Sequence, residues 1–252
     1  MDSYLVIHGR ADAPTGKFET LAKTLARHSG IQVLLLDWSQ GAADNYIPQV
    51  GLYGAEWIPY VADWAASALR NIGIGGVKLN LGGHSWGSYV AARIAAPERS
   101  GMVNALVAMD PARAGVGFAA DSIDFGAVSR ISWAFHGNGS FGSAKLAATA
   151  DESFSIVSDE FSRLPYLSSL ERHTAPVHVF EYLARNNVRA FGGLFSLKRL
   201  MGARRNTIWQ IDAYSSEKST FEGPVQGFEG VFKVGRITAS VDDIWQPITF
   251  DF

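Results

Sequence analysis

Gly83-His84-Ser85-Trp86-Gly87 decides the reading of this chain, because of what stands on either side of it. Before it, Val77-Lys78-Leu79-Asn80-Leu81 alternates apolar and polar residues, the pattern of a strand. After it, residues 88–96 read as a helix stopped by Pro97. A serine between glycines at a strand-to-helix junction is the context of a nucleophile elbow, G-x-S-x-G. Small neighbours let the backbone enter a strained turn that a bulky side chain would block. Such a turn lifts the hydroxyl off the strand end and aims the next helix's N-terminus at it.

Working outward, apolar runs alternate with helical spacing. Residues 4–7 read as a buried strand, residues 16–28 as a helix with Gly30 as its stop, and residues 31–36 as a second buried strand. A long apolar helix spans 55–69, where Pro59 implies a kink or a later start. Strands follow at 105–109, 131–135 and 153–157, and a helix at 173–185. Strands that are apolar throughout and separated by helices indicate a mostly parallel sheet with helices on both faces. Ligands in such sheets bind at the carboxyl ends of the strands, and Ser85, Asp110 and His173 are all placed just past strand ends. Residues 1–185 form the α/β core on this reading. Residues 186–252 form a β-rich extension packed on the same domain, with β-like runs at 207–211 and 230–234.

Composition narrows the possibilities. The chain has 252 residues, 47% of them hydrophobic, enough for one sizeable core. A net charge of -2, with no cluster of Lys or Arg, gives nucleic acid no electrostatic hold. The absence of cysteine excludes disulfides, thiolate metal sites and a cysteine nucleophile. No apolar stretch is long enough to span a bilayer. The first nine residues lack a basic start and carry only a strand-sized apolar run, so no signal peptide is expected there. A native start would then mean a cytoplasmic protein, and the alternative is a lost leader.

A serine hydroxyl is a poor nucleophile at neutral pH. It needs an adjacent base, and the base needs an acid to hold its tautomer. The α/β-hydrolase order along the chain is Ser, then Asp or Glu, then His. Ser85 is followed by Asp110 one helix and one strand later, and by His173 after two more strands. Each has a competitor. Ser85 could simply cap a helix, and Asp110 could cap the turn before Pro111, with Asp37 and Asp151 as poorer acids. His173 could be a histidine at a helix end, with His178 next in rank and His136 third. His84, inside the elbow, reads as a packing and hydrogen-bonding residue.

The motifs also carry a resemblance. Asp37-Trp38-Ser39-Gln40-Gly41-Ala42, then Tyr46, then Gly54-Ala55-Glu56, is similar to the D-W-x-x-G-A…Y…V-G-A-E segment of the pancreatic/lipoprotein lipase family of α/β-hydrolases. Ala108-Met109-Asp110-Pro111-Ala112 resembles its L-D-P-A motif, and His173 with His178 and Phe180 resembles its H-x-x-x-x-H-x-F segment. The collinear motifs cover roughly residues 4–185.

The resemblance implies Asp110 as triad acid and His173 as base. The oxyanion donors would be the backbone N–H of Trp86, after the nucleophile, and that of Arg10, with Gly83, His84 and Gly87 completing the elbow. It further implies a bacterial-type, lid-reduced lipase or phospholipase without the C-terminal lipid-binding domain, secreted and working at a lipid–water interface. The short lid would lie at 158–172. Catalysis would need no cofactor. Asp121-Ser122-Ile123-Asp124 resembles the acidic end of a calcium loop in parts of the family, where any calcium would be structural. The alternatives are a lipase-like binding or storage protein, and a thioesterase or peptidase on the same fold.

Overall fold

The computed structural model describes residues 2–27, 31–43, 46–47, 52–96, 101–113, 123–157, 165–185, 207–212 and 234–238. Strand β1 (Asp2–Ile7), helix α1 (Lys17–Ala26), β2 (Ile31–Asp37) and α2 (Ser39–Ala42) lead into a small antiparallel pair, β3 (Tyr46–Ile47) and β4 (Leu52–Tyr53). Helix α3 (Trp57–Asn71), β5 (Leu79–His84), α4 (Trp86–Ile94) and β6 (Val103–Met109) follow. Next come α5 (Phe125–Val128), β7 (Ser129–His136), α6 (Ala144–Ala147) and β8 (Glu152–Val157). The described chain ends with α7 (Pro165–Arg185), β9 (Thr207–Asp212) and β10 (Val234–Thr238).

Eight strands form one sheet in the order β10-β2-β1-β5-β6-β7-β8-β9, and every pairing in it is parallel. The apolar runs follow from burial on both faces. In β1, Tyr4 and Val6 pack with Phe18, Leu21 and Leu25 of α1 and with Val177, Phe180 and Leu183 of α7. The alternate residues Leu5 and Ile7 pack with Trp57, Val61 and Ala65 of α3 and with Val90 and Ala91 of α4. Successive side chains point to opposite faces, so a strand covered on both sides must be apolar at every position. The β9 and β10 strands lie at opposite edges of this same sheet.

The order reverses between β1 and β5. From β1 the chain crosses to β2 on one side, and from β5 it grows through β6, β7 and β8 on the other. A crevice opens outside the carboxyl ends at such a switch point. The loop after β1 and the turn after β5 meet there.

Several boundaries differ from expectation. The elbow strand is Leu79–His84 rather than 77–81, because residues 76–78 form a 3-10 turn and the strand runs up to the serine. Helix α4 starts at Trp86, not at residue 88. Of the two outcomes expected from Pro59, the later start holds: a 3-10 turn at Gly54–Glu56 precedes α3. Pro59 thus falls in the first turn, where backbone N–H groups have no helical acceptor to lose. The stop at Gly30 and most of the run at 230–234 lie outside the described residues.

The larger difference is α7, which begins at Pro165, so His173 lies inside a helix rather than at its start or past a strand end. Residues 165–172 of the expected lid are its first turns, and 158–164 lie outside the described residues. Helix α7 is held to α1 by a buried polar contact. Thr24 Oγ1 donates to Glu181 Oε1 at 2.5 Å, and Arg185 Nη2 donates to the same oxygen at 2.8 Å.

Candidate active site

Ser85 sits at φ 55°, ψ -121°, in left-handed space that costs a non-glycine residue roughly 1–3 kcal/mol. The surroundings impose that conformation. The Ser85 N–H donates to the Met109 carbonyl at 3.0 Å, and Ser88 Oγ donates to the Gly83 carbonyl at 2.8 Å. A methyl group on Gly83 would strike the Gly87 carbonyl, and one on Gly87 would come within 2.5 Å of the carbonyl oxygens of Ile7 and His8. Both glycines are needed for α4 to close onto β1 and β5. The Ser85 side chain makes no capping bond to α4, so the helix-cap competitor does not describe it.

The loop after β1 is clamped against this turn. His8 Nδ1 donates to the Gly9 carbonyl at 3.0 Å, and its Nε2 accepts the Trp38 N–H at 3.3 Å. The Trp38 indole N–H returns a bond to the His8 carbonyl at 2.9 Å. These partners place the proton on Nδ1, and burial pulls the His8 pKa below the usual 6.5. A methyl group on Gly9 would lie 2.7 Å from Ser85 Cβ, so only glycine lets the loop come this close. Just beyond it the exposed Arg10 places its guanidinium 5.3 Å from the centre of the Trp86 ring. The two residues expected to supply oxyanion donors are therefore neighbours. Trp86 opens α4, where an N–H has no acceptor one turn back.

Asp110 immediately follows β6 at φ 45°, with its N–H donating to the Phe135 carbonyl at 2.6 Å. The carboxylate is fully buried and both its oxygens are used. Oδ1 accepts the Gly137 N–H at 2.9 Å, and Oδ2 accepts His173 Nδ1 at 2.5 Å. The structure thus joins two residues 63 positions apart. The segment after Asp110 is zipped to residues 141–143: Ser143 N–H donates to the Pro111 carbonyl at 2.8 Å and Arg113 N–H to the Phe141 carbonyl at 2.9 Å. A methyl group on Gly142 would strike both carboxylate oxygens of Asp110. Gly137 is equally constrained, because a methyl there would strike the Arg172 carbonyl, one residue before His173.

The His173 ring is flanked by His84, with centroids 4.7 Å apart, and by the exposed Phe141 at 5.6 Å. His84 Nε2 donates to the His173 carbonyl at 2.8 Å. Burial, and after it the neighbouring His173, hold the His84 pKa well below 6.5. Ser85 is only 5% exposed, and its hydroxyl makes no hydrogen bond to His173.

The competitors have other occupations. Asp37 Oδ1 accepts from the Ser39 N–H and hydroxyl, and Asp151 Oδ2 accepts from the Ser132 N–H and hydroxyl. His178 is exposed on α7. His136 ends β7 near Asp110, but it is His173 that bonds the carboxylate; burial lowers the His136 pKa. Of the calcium candidates, Asp121 lies outside the described residues. Asp124 caps α5 through the Ala127 N–H at 3.1 Å. No group of three or more His, Cys, Asp or Glu side chains placed to hold a metal occurs among the described residues.

Gly137, Gly142 and Phe141 were not singled out in the sequence. Their signal was glycine density just after a strand, in Gly137-Asn138-Gly139-Ser140-Phe141-Gly142.

The alpha/beta hydrolase family matches the chain over residues 4–229. The match is to that family as a whole, and the narrower lipase resemblance is carried by the quoted motifs alone. A search of curated proteins finds no match. Among solved structures, a Xanthomonas campestris pv. campestris protein assigned to the hydrolases of the alpha/beta superfamily is 14% identical, covering 90% of this chain and 95% of its own at a TM-score of 0.44. The ydeN gene product of B. subtilis is 13% identical over 84% and 86% of the two chains, with a TM-score of 0.35. A Lactobacillus plantarum WCFS1 protein assigned as a carboxylesterase is 12% identical over 86% and 75%, with a TM-score of 0.35. The family match, spanning most of the sequence and both sides of the switch-point crevice, settles the membership: this chain belongs to the alpha/beta hydrolase family.

Proposed function

We propose that the protein is a serine carboxylic-ester hydrolase using Ser85 as nucleophile, His173 as base and Asp110 as the acid that orients it. The observation that carries this reading is the 2.5 Å bond from His173 Nδ1 to Asp110, formed on a helix tied to the strained serine turn. With its Nδ1 proton committed to the carboxylate, His173 keeps Nε2 as the basic nitrogen. Nε2 takes the Ser85 proton as Oγ attacks the ester carbonyl, and Asp110 stabilises the resulting imidazolium. The backbone N–H groups of Trp86 and Arg10 hold the oxyanion, each worth on the order of 3 kcal/mol in the transition state. His173 then protonates the leaving alcohol, and water releases the acyl group. The Ser85–His173 contact closes on substrate binding, as such contacts commonly tighten only in the complex.

Acyl esters of lipids are the substrate class we favour. The lipase-like motifs support it, as do Phe141, 37% exposed beside His173, and Leu170, 43% exposed on α7. Secretion belongs to the same reading and rests on the same resemblance. No helix among the described residues is long and apolar enough to cross a membrane.

The test is fluorophosphonate labelling with wild type and Ser85→Ala, alongside turnover of a p-nitrophenyl ester series and of triglyceride and phospholipid emulsions. The proposal expects labelling of Ser85 and loss of both labelling and turnover in the variant, by roughly 10⁴-fold or more. A folded variant with wild-type activity overturns the assignment. A wild type that neither labels nor turns over would favour the binding-protein alternative, and preference for thioester or amide substrates would favour the other.

A further inference from the structure

We infer that His84 is a positioning residue that ties the turn carrying Ser85 to the helix carrying His173 and so sets the separation of nucleophile and base. The inference rests on the assignment of those two residues proposed above. His84 is the residue before Ser85, 3% exposed, and its Nε2 lies 2.8 Å from the His173 carbonyl oxygen. A carbonyl only accepts, so the imidazole proton is on Nε2. The other nitrogen, Nδ1, is buried without a partner and carries the lone pair. It faces Gly9, where an added methyl would sit 3.2 Å away. Protonating Nδ1 would bury a cation and an N–H with no acceptor, a cost that keeps the ring neutral and in one tautomer.

The carbonyl it holds lies where α7 needs outside support. Pro176 has no N–H to give the carbonyl four residues earlier, that of Arg172, and a proline inside a helix also crowds that carbonyl. Two contacts from strand ends meet the helix at this weakened turn. Gly137, after β7, packs against the Arg172 carbonyl, and His84, at the end of β5, bonds the next carbonyl. The His173 backbone is thereby referenced to the same turn that carries the nucleophile. A misplacement of about 1 Å at such a site costs on the order of 10²-fold in rate.

The test compares H84F, which keeps a buried ring and loses the donor, with H84Q, which loses the ring and keeps an N–H at similar reach. The inference expects H84F to lower kcat on a short-chain p-nitrophenyl ester by roughly 10- to 100-fold, with KM within about twofold and a parallel slowing of fluorophosphonate labelling. It expects H84Q to recover kcat to within about threefold of wild type, as a restored donor should. Wild-type kcat in folded H84F, or equal impairment of the two folded variants, overturns it. Should H84F fail to fold, H84Q alone decides, and a large loss of kcat in that variant overturns the inference. Ser85→Ala measured in parallel keeps the two claims apart. Turnover surviving in that variant defeats the site assignment itself, whereas a silent Ser85→Ala beside a fully active H84F defeats only the role of His84.

Discussion

The two ends of β5 and β6 are built on opposite terms. At the amino ends, Asn104 Nδ2 donates to Asn80 Oδ1 at 2.8 Å and Asn80 Nδ2 donates to the Ser3 carbonyl at 3.1 Å. Gln32 extends this row by donating to Ser3 Oγ at 2.7 Å. Polar side chains here satisfy one another across four neighbouring strands. At the carboxyl ends, Ser85 and Asp110 occupy φ 55° and 45°, and His84 buries an unpartnered Nδ1. Strained backbone and unsatisfied polar atoms persist only where the surroundings over-determine them, and they cluster at functional sites. The same two strands thus contribute stability at one end and bear a cost at the other. That cost falls at the end where the proposed chemistry takes place.

The contrast breaks most sharply at Asp110. Asp110→Asn preserves shape but presents an amide where His173 needs an acceptor for Nδ1–H, and kcat should fall about 10⁴-fold. Steady-state kinetics would show this. Asp151→Asn is the control, since its carboxylate serves Ser132: it should lower the thermal midpoint and spare kcat. A subtler break is Gly142→Ala, which removes nothing polar but drives a methyl into the Asp110 carboxylate. A loss of about 10²-fold in kcat is expected from the displaced acid. Unchanged kinetics would mean that the segment 141–143 yields easily.

The pH dependence of stability sharpens the comparison. His8, His84 and His136, all at the carboxyl rim, have folded pKa values below the usual 6.5, chiefly through burial. As pH falls below 6.5, the unfolded chain takes up protons that the fold excludes, so stability must fall with it. Thermal midpoints measured between pH 7 and pH 5 should decline, and H84Q should shallow the slope by removing one such group. A midpoint rising toward pH 5 would contradict the burial of these imidazoles. The smallest effect belongs to the amino edge. Gln32→Ala removes one hydrogen bond to Ser3 and should cost about 1 kcal/mol by denaturant unfolding, with kcat unchanged.

Much of this was legible in the order of residues. Both faces of the sheet are buried, so β1, β2 and β6 read as continuous apolar runs. The elbow declared itself because Gly83 and Gly87 flank a serine between strand and helix. Asp110 and His173 were legible through chain order and motif resemblance, and the structure then joined them. Helix α7 was missed at its start because the family resemblance assigns residues 158–172 to a lid, whereas residues 165–172 are helical. In the fold, Gly137 and His84 support that turn from strands far away in sequence. Gly142 was missed for the same kind of reason: its constraint is the Asp110 carboxylate, which no local pattern reveals.

The sequence by itself determined the alternation of strand and helix, the elbow and the short set of candidates for the three chemical groups. These depend on periodicity and on backbone preferences that act between near neighbours. Only the tertiary structure decided which carboxylate meets which imidazole, where His173 sits on its helix, and that His84 ties the Ser85 turn to that helix. Those are contacts across strand ends, fixed by how the sheet reverses direction between β1 and β5 rather than by any spacing along the chain.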